Sequence, residues 1–150
     1  MIEGKPVVVH GDGTSLWVLT HHKDFARGFL PLVGNPKALG EAFHITSDEL
    51  LSWDEIYRLV GRAAGVEPKL VHVSSEVINR EDADWGAGLL GDKAHCVIFD
   101  NSKLKRFAPG FKATIPFARG AKEIVDFYAR NPDHEKRRPE VDALMDRMTQ

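Results

Sequence analysis

The stretch VVVHGDGTSLWVLTHHKDFARGF, residues 7–29, contains the signals that predict the fold. A run of branched residues ends at the turn Gly11–Gly13, and the short apolar run Leu16–Leu19 follows so closely that we expect a β-hairpin. A helical pattern then begins near Asp24 and is expected to be short or kinked, because Pro31 follows. These residues could form a metal site, a phosphate-binding loop or the wall of a pocket.

Beyond this stretch, strand and helix patterns alternate, which predicts an α/β (mixed α+β) fold with few short strands and flanking helices. The clearest helix has a capping box, Ser52 with Glu55, and stops at Gly65. The remaining strands are expected at residues 41–47, 69–74 and 95–100. The remaining helices are expected from residue 75, over 116–130, and from 139 to the end of the chain.

The composition is that of one globular domain. The chain has 150 residues, of which 43% are apolar and 28% charged, and its net charge is −2. Such a charge gives no general attraction to nucleic acid or to anionic membranes. No apolar run approaches the roughly 20 residues that a membrane helix needs. The single cysteine, Cys96, is expected to be buried and inert in a strand, and a reduced, cytoplasmic location is the default.

Two motifs that suggest a ligand site lack the context that such a site requires. Residues 86–91 spell G-x-G-x-x-G, but a polar segment precedes them and a strand pattern follows, so we expect a flexible loop and not a cofactor site. His21 and His22 are adjacent and would point about 100° apart on a helix, so we expect no metal there. Neither Tyr57 nor Tyr128 has a lysine four residues later, and no catalytic residue is predicted.

The order of several weak motifs is more informative than any one of them. Gly11-Asp12-Gly13-Thr14, GEAFHIT (residues 40–46), Gly91-Asp92 and FDNSKLKRFAPGF (residues 99–111) precede a last amphipathic helix. This order resembles the C-terminal, substrate-binding half of the extended short-chain dehydrogenase/reductases, the NAD-dependent epimerase/dehydratase family. The resemblance covers about residues 4–132. It assigns residues 1–131 to the substrate-binding region and 132–150 to a linker and C-terminal helix.

The resemblance implies an oxidoreductase or isomerase whose N-terminal Rossmann domain binds NAD or NADP and carries a Tyr-x-x-x-Lys couple. We therefore expect this chain to be a truncated, substrate-binding portion that binds no cofactor and is inactive alone. The resemblance also implies substrate-binding roles for five residues: Asp12, Trp17, His21, Leu89 and Asp92.

Two of these residues depart from the family pattern. Members that act on nucleotide-sugars have an arginine in G-D-G-x-x-x-R-D and a second one in R-x-G-D. Trp17 and Leu89 stand at those two positions, and neither can replace a charge-assisted pair to phosphate. We therefore expect a small-molecule substrate that is not a nucleotide diphosphate sugar. The alternative for Trp17 is packing in the core.

The expected partner is the absent Rossmann domain or a second copy of the chain. Either would cover the apolar stripes of the last two helices, Ala121-Ile124-Val125-Tyr128 and Val141-Leu144-Met145-Met148. The rival hypothesis is a non-catalytic binding protein of the same fold, possibly one that binds RNA. The nearly neutral charge makes nucleic acid the less favoured partner.

We predict that this chain does not bind NAD(H) or NADP(H) specifically, because residues 86–91 lack the strand before and the helix after that place a pyrophosphate at a helix N-terminus. Calorimetric titration with each cofactor should show no saturable heat. Saturable binding in the micromolar range would contradict the prediction.

Overall fold

A computed structural model of the protein describes residues 1–134 and 138–150. Residues 135–137, part of the predicted linker, lie outside the described residues. The strands are β1 (Val7–His10), β2 (Leu16–Trp17), β3 (Leu51–Ser52) and β4 (Leu70–Val73). The α-helices are α1 (His22–Phe29), α2 (Trp53–Ala63), α3 (Ser75–Glu81), α4 (Ala83–Gly88), α5 (Ser102–Phe107), α6 (Phe117–Arg130) and α7 (Pro139–Met148). The predicted fold class, mixed α/β with few short strands, is confirmed.

The predicted hairpin between β1 and β2 is wrong. β1 pairs in parallel with β4, and β2 pairs antiparallel with β3. The neighbouring residues Val8 and Val9 point to opposite faces, yet both are fully buried. A strand covered on both faces is typical of parallel pairing beneath helices and not of a half-exposed hairpin.

Two other predicted strands, 41–47 and 95–100, do not form. Side chains satisfy the backbone of the first segment: Asn101 accepts from the Thr46 N–H and donates to the Thr46 carbonyl. The second segment runs beside β2, where the Val97 N–H donates to the Leu16 carbonyl. Cys96 is exposed there, contrary to its predicted burial. Apolar alternation favoured strands, but no continuous ladder partner faces these segments.

The helices with strong local signals form where the sequence predicts them. Ser52 and Glu55 make the complete capping box of α2, and Gly65 follows that helix with a φ of 73°. α1 ends at Phe29 and a 3-10 turn containing Pro31 follows it. In each case the helix boundary coincides with a residue whose own chemistry sets it.

Two clusters of buried side chains form the core. The first, Val8, Ile78 and Leu89, lies beneath β1 and is covered by α7 through Met145 and Met148. The second comprises Leu104, Ala108 and Phe111. The stripe on α7 therefore packs largely against the chain itself, whereas Ile124 and Tyr128 on α6 are exposed.

The segment with the G-x-G-x-x-G pattern is helical, so the expected flexible loop is wrong. Gly86 lies within α4, and a π-helical turn (Leu89–Lys93) continues from it. A Cβ at Gly86 would overlap the backbone of Asn79 in α3, whereas one at Gly91 would meet open space. Gly86 therefore permits the close packing of two helices.

Among the described residues, no helix combines the length and apolar character needed to span a bilayer.

We predict that Gly86→Ala destabilises the protein by about 1–3 kcal/mol, the usual range for added bulk in a packed contact. The matched control is Gly91→Ala, which should be neutral or stabilising by up to ~1 kcal/mol because alanine favours helix and nothing opposes its methyl group. Urea denaturation of both variants measures the difference. Equal stability of the two variants would show that the α3–α4 contact does not require glycine.

Candidate functional site

Two indole rings meet beside the end of β1. Trp17 in β2 and Trp53 at the start of α2 have ring centroids 5.6 Å apart. The β2–β3 ladder places them together, because it pairs Trp17 with Leu51 and α2 begins directly after β3. Trp17 is half-buried, so one part of its ring packs inward and another part faces the surface.

A histidine and a lysine complete this arrangement, the indole cluster (His10, Trp17, Trp53 and Lys93). The His10 ring meets Trp53 edge-on at 4.9 Å, and the Lys93 ammonium lies 5.5 Å from the Trp17 centroid. His10 Nε2 lies 3.0 Å from the Lys93 carbonyl, which can only accept, so Nε2 carries the proton. The Ser15 hydroxyl donates to the same carbonyl. Hydrogen bonds to this one backbone carbonyl therefore connect β1 and the following loop to the π-helical turn.

The cluster contains a buried donor that is not satisfied. The indole N–H of Trp53 is shielded from solvent and has no hydrogen-bond partner among the described residues. A buried donor without a partner costs about 1–3 kcal/mol. An acceptor brought to this position would recover part of that free energy.

Asp12 shapes the turn that leads into the cluster. Its carboxylate accepts from the Thr14 hydroxyl at 2.6 Å and from the Thr14 N–H at 2.9 Å. These two bonds, the hydroxyl first, hold the pKa of Asp12 below its usual value. Gly13 follows with a φ of 73°, and a Cβ there would overlap the Asp54 carboxylate. Asp12 is exposed, and its visible role is to fix the turn.

The π-helical turn holds two predicted site residues in different environments. Leu89 is 2% exposed and packs against Val8 and Ile78, so its side chain belongs to the core. Asp92 is exposed, and its carboxylate lies 3.3 Å from the Lys93 ammonium beside Trp17. Of the five predicted residues, the structure therefore brings Trp17 and Asp92 near each other, with Asp12 at the adjoining turn.

His21 lies apart from the indole cluster, in a groove against α6. Its Nε2 is 3.0 Å from Glu123 Oε2, and its Nδ1 accepts from the Lys23 N–H. Since Nδ1 accepts, Nε2 carries the proton and donates to Glu123. Gly120 on α6 faces the ring, and a Cβ there would lie in ordinary van der Waals contact with it at 3.6 Å. The substrate-binding role that the resemblance implies for His21 stays a prediction.

Sequence reasoning missed four residues of these sites: His10, Trp53, Lys93 and Glu123. The position of Trp53 at the first residue of α2 is a local signal that it could lie near a turn. Glu123 is 102 positions from His21, and no local pattern connects them. Among residues 1–134 and 138–150, no three His, Cys, Asp or Glu side chains could hold a metal ion together.

We predict that His10 makes stability depend on pH. Burial disfavours the charged imidazole and lowers the pKa of His10 below its usual 6.5. As pH falls past 6.5, the unfolded chain binds the proton first, so the free energy of unfolding should decline. The pKa values of Asp12 and Glu123 are also lowered, from the ordinary 3.8 and 4.5, so these carboxyl groups affect stability only at lower pH.

Urea denaturation between about pH 7.5 and 5 tests this, since it spans the ordinary histidine pKa. His10→Gln should flatten the decline, whereas His22→Gln, at an exposed position, should keep it. An unchanged slope in His10→Gln would contradict the assignment.

No family model matches the chain. It is 33% identical over 84 residues to the chloroplast stem-loop binding protein of 41 kDa b of Arabidopsis thaliana, covering 55% of this chain and 21% of that protein. It is 30% identical over 116 residues to 2'-dehydrokanamycin reductase of Streptomyces kanamyceticus, covering 73% of this chain and 31% of the relative. The chain thus spans between a fifth and a third of the curated relatives it matches.

Solved structures show the same fold. UDP-glucuronic acid 4-epimerase from Bacillus cereus, in complex with UDP-glucuronic acid and NAD, matches 86% of this chain with a TM-score of 0.66 and 21% identity. The match covers 37% of that chain. dTDP-glucose 4,6-dehydratases match in the same way. This chain therefore has the fold of part of the Rossmann-type short-chain dehydrogenase/reductase enzymes that include NAD-dependent epimerases and dehydratases.

Proposed function

We propose that this chain is the substrate-binding portion, the C-terminal half, of an NAD(P)-dependent epimerase/dehydratase-like oxidoreductase. One observation carries the proposal: most of the chain matches about a third of an epimerase solved with its sugar nucleotide and NAD. The relative named as a 2'-dehydrokanamycin reductase supports a related chemistry. In this proposal NAD or NADP and the Tyr-x-x-x-Lys couple belong to a Rossmann domain, and without it the exposed face of α6 pairs with a second copy.

We further propose that the substrate contacts the indole cluster and is not a nucleotide diphosphate sugar. Trp17 is half-buried and its indole is flat and largely apolar, and the Trp53 N–H has no acceptor within the described part of the chain. The cation at this position, Lys93, is already opposed by Asp92 at 3.3 Å. One partly exposed, paired ammonium is a poor substitute for the two bidentate arginines of a diphosphate clamp.

We predict that UDP-glucuronic acid does not raise the melting temperature of the protein. Kanamycin, chosen from the name of the relative, should change the tryptophan emission of a Trp85→Phe variant in a saturable way. Trp17→Ala should abolish that change, while Trp17→Phe should preserve part of it by keeping an aromatic face. A dose-dependent stabilisation by UDP-glucuronic acid, through mass action on the native state, would contradict the proposed substrate class.

A second function is favoured by one specific observation, the relative named as a stem-loop binding protein. In that case the chain would be a binding protein of the same fold and not part of an enzyme. Filter binding to an RNA stem-loop at several salt concentrations separates the two, because phosphate contacts give a steep salt dependence. Tight, salt-sensitive binding together with no response to kanamycin would favour the RNA function.

A further inference from the structure

The groove that contains His21 is large enough to hold a small molecule. It has a volume of about 630 Å³, between the segment after β2 and the first three turns of α6. That is within the roughly 300–1,000 Å³ typical of ligand pockets. Its walls are mostly apolar, and the side chains that matter here are Leu19, Ile115, Phe117, Ile124, Phe127 and Tyr128.

Helical spacing explains the α6 wall. Ile124 lies four residues after Gly120, and Phe127 and Tyr128 lie three and four residues after Ile124, so all four lie on one side of the helix. The last three are exposed, although each is large and apolar or aromatic. Gly120 lies at the base of the groove and faces the His21 ring.

A carboxylate is held at a defined position in this apolar groove. Glu123 accepts from His21 Nε2, and the His21 side chain is only 8% exposed. The Lys23 N–H donates to Nδ1 of His21. A change of tautomer would put the proton on Nδ1, so His21 would lose the bond from Lys23 as well as the bond to Glu123. Glu123 itself is 41% exposed, so it remains open to a ligand.

The Glu123 carboxylate is charged, and the hydrogen bond that it accepts on its solvent-facing side is weak. The hydrogen bond from His21, and then that from Arg119, keep the pKa of Glu123 below its usual value. Arg119 Nε lies 3.2 Å from Oε1, but the Arg119 side chain is 64% exposed. An exposed pair of this kind contributes little to stability, so another cation can replace Arg119 at modest cost.

We propose that this groove binds a small amine with an apolar ring, its ammonium group on the Glu123 carboxylate and its ring against Phe127 and Tyr128. A charged carboxylate favours a cation over a neutral or anionic group of the same shape. Aromatic rings next to it add an attraction for the same charge. The groove shares no lining residue with the indole cluster, so the amine proposal does not depend on the proposed substrate site. It does use the exposed face of α6, so an amine in the groove and a second copy on that face exclude each other.

The test uses the full chain and 2-phenylethylamine as the probe, with binding followed by calorimetry and by NMR of the aromatic resonances. Saturable binding is expected, with an affinity lowered about tenfold or more in Glu123→Gln, because a charge-assisted bond becomes a neutral one. Glutamine keeps an acceptor for His21, so the groove should stay intact. Asp126→Asn removes a carboxylate that pairs with Lys122 elsewhere on α6, and it should bind as the wild type does.

2-Phenylethanol, which has the same ring without the charge, should bind weakly and equally to the wild type and to Glu123→Gln. The proposal is overturned if the amine shows no saturable binding, or if Glu123→Gln binds it as tightly as the wild type. Equal losses in Glu123→Gln and Asp126→Asn would also overturn it, since they would indicate a general surface effect. If sedimentation shows a dimer that does not bind the amine, the proposal is also overturned, since a second copy would then fill the groove.

Discussion

The buried carboxylate of Asp24 is the constraint on which the arrangement of the His21 groove depends. Asp24 is 1% exposed and accepts from the backbone N–H groups of Thr114 and Ile115, 90 and 91 positions away. Arg27 donates to the other oxygen, so the charge is paired. A buried charge is tolerated only with such partners, and losing them costs far more than an exposed pair contributes.

The consequence of this interaction is positional. Asp24 lies in the first turn of α1, directly after the His21 segment, and residues 114 and 115 lead into α6. The same carboxylate therefore sets the distance between His21 and Glu123, which form the polar part of the groove. Glu49 makes a second contact that positions α6, because its carboxylate accepts from the Phe117 N–H at the start of that helix.

The π-helical turn has a comparable function for the indole cluster. Its first residue, Leu89, is anchored in the core, and its last, Lys93, offers a carbonyl to His10 and an ammonium to Trp17. An extra residue in a helical turn changes which side chains face inward, and such turns recur at functional sites. The same five-residue turn therefore holds a side chain of the core, Leu89, and a side chain of the indole cluster, Lys93.

Local chemistry in the sequence determined α1, α2, α6 and α7 and where they end, but not α4 or α5. The capping box of α2, the proline after α1 and the apolar stripes of α6 and α7 each act within a few residues, so they can be read directly. The sequence also indicated a short strand at Trp17, although this strand pairs with β3 and not with β1 as predicted. The tertiary structure decided which strands pair, that Leu89 enters the core, and that Trp53, Lys93 and Glu123 join the sites. These contacts connect residues tens of positions apart, and their free energy comes from burial and pairing across the fold, which local propensity does not encode.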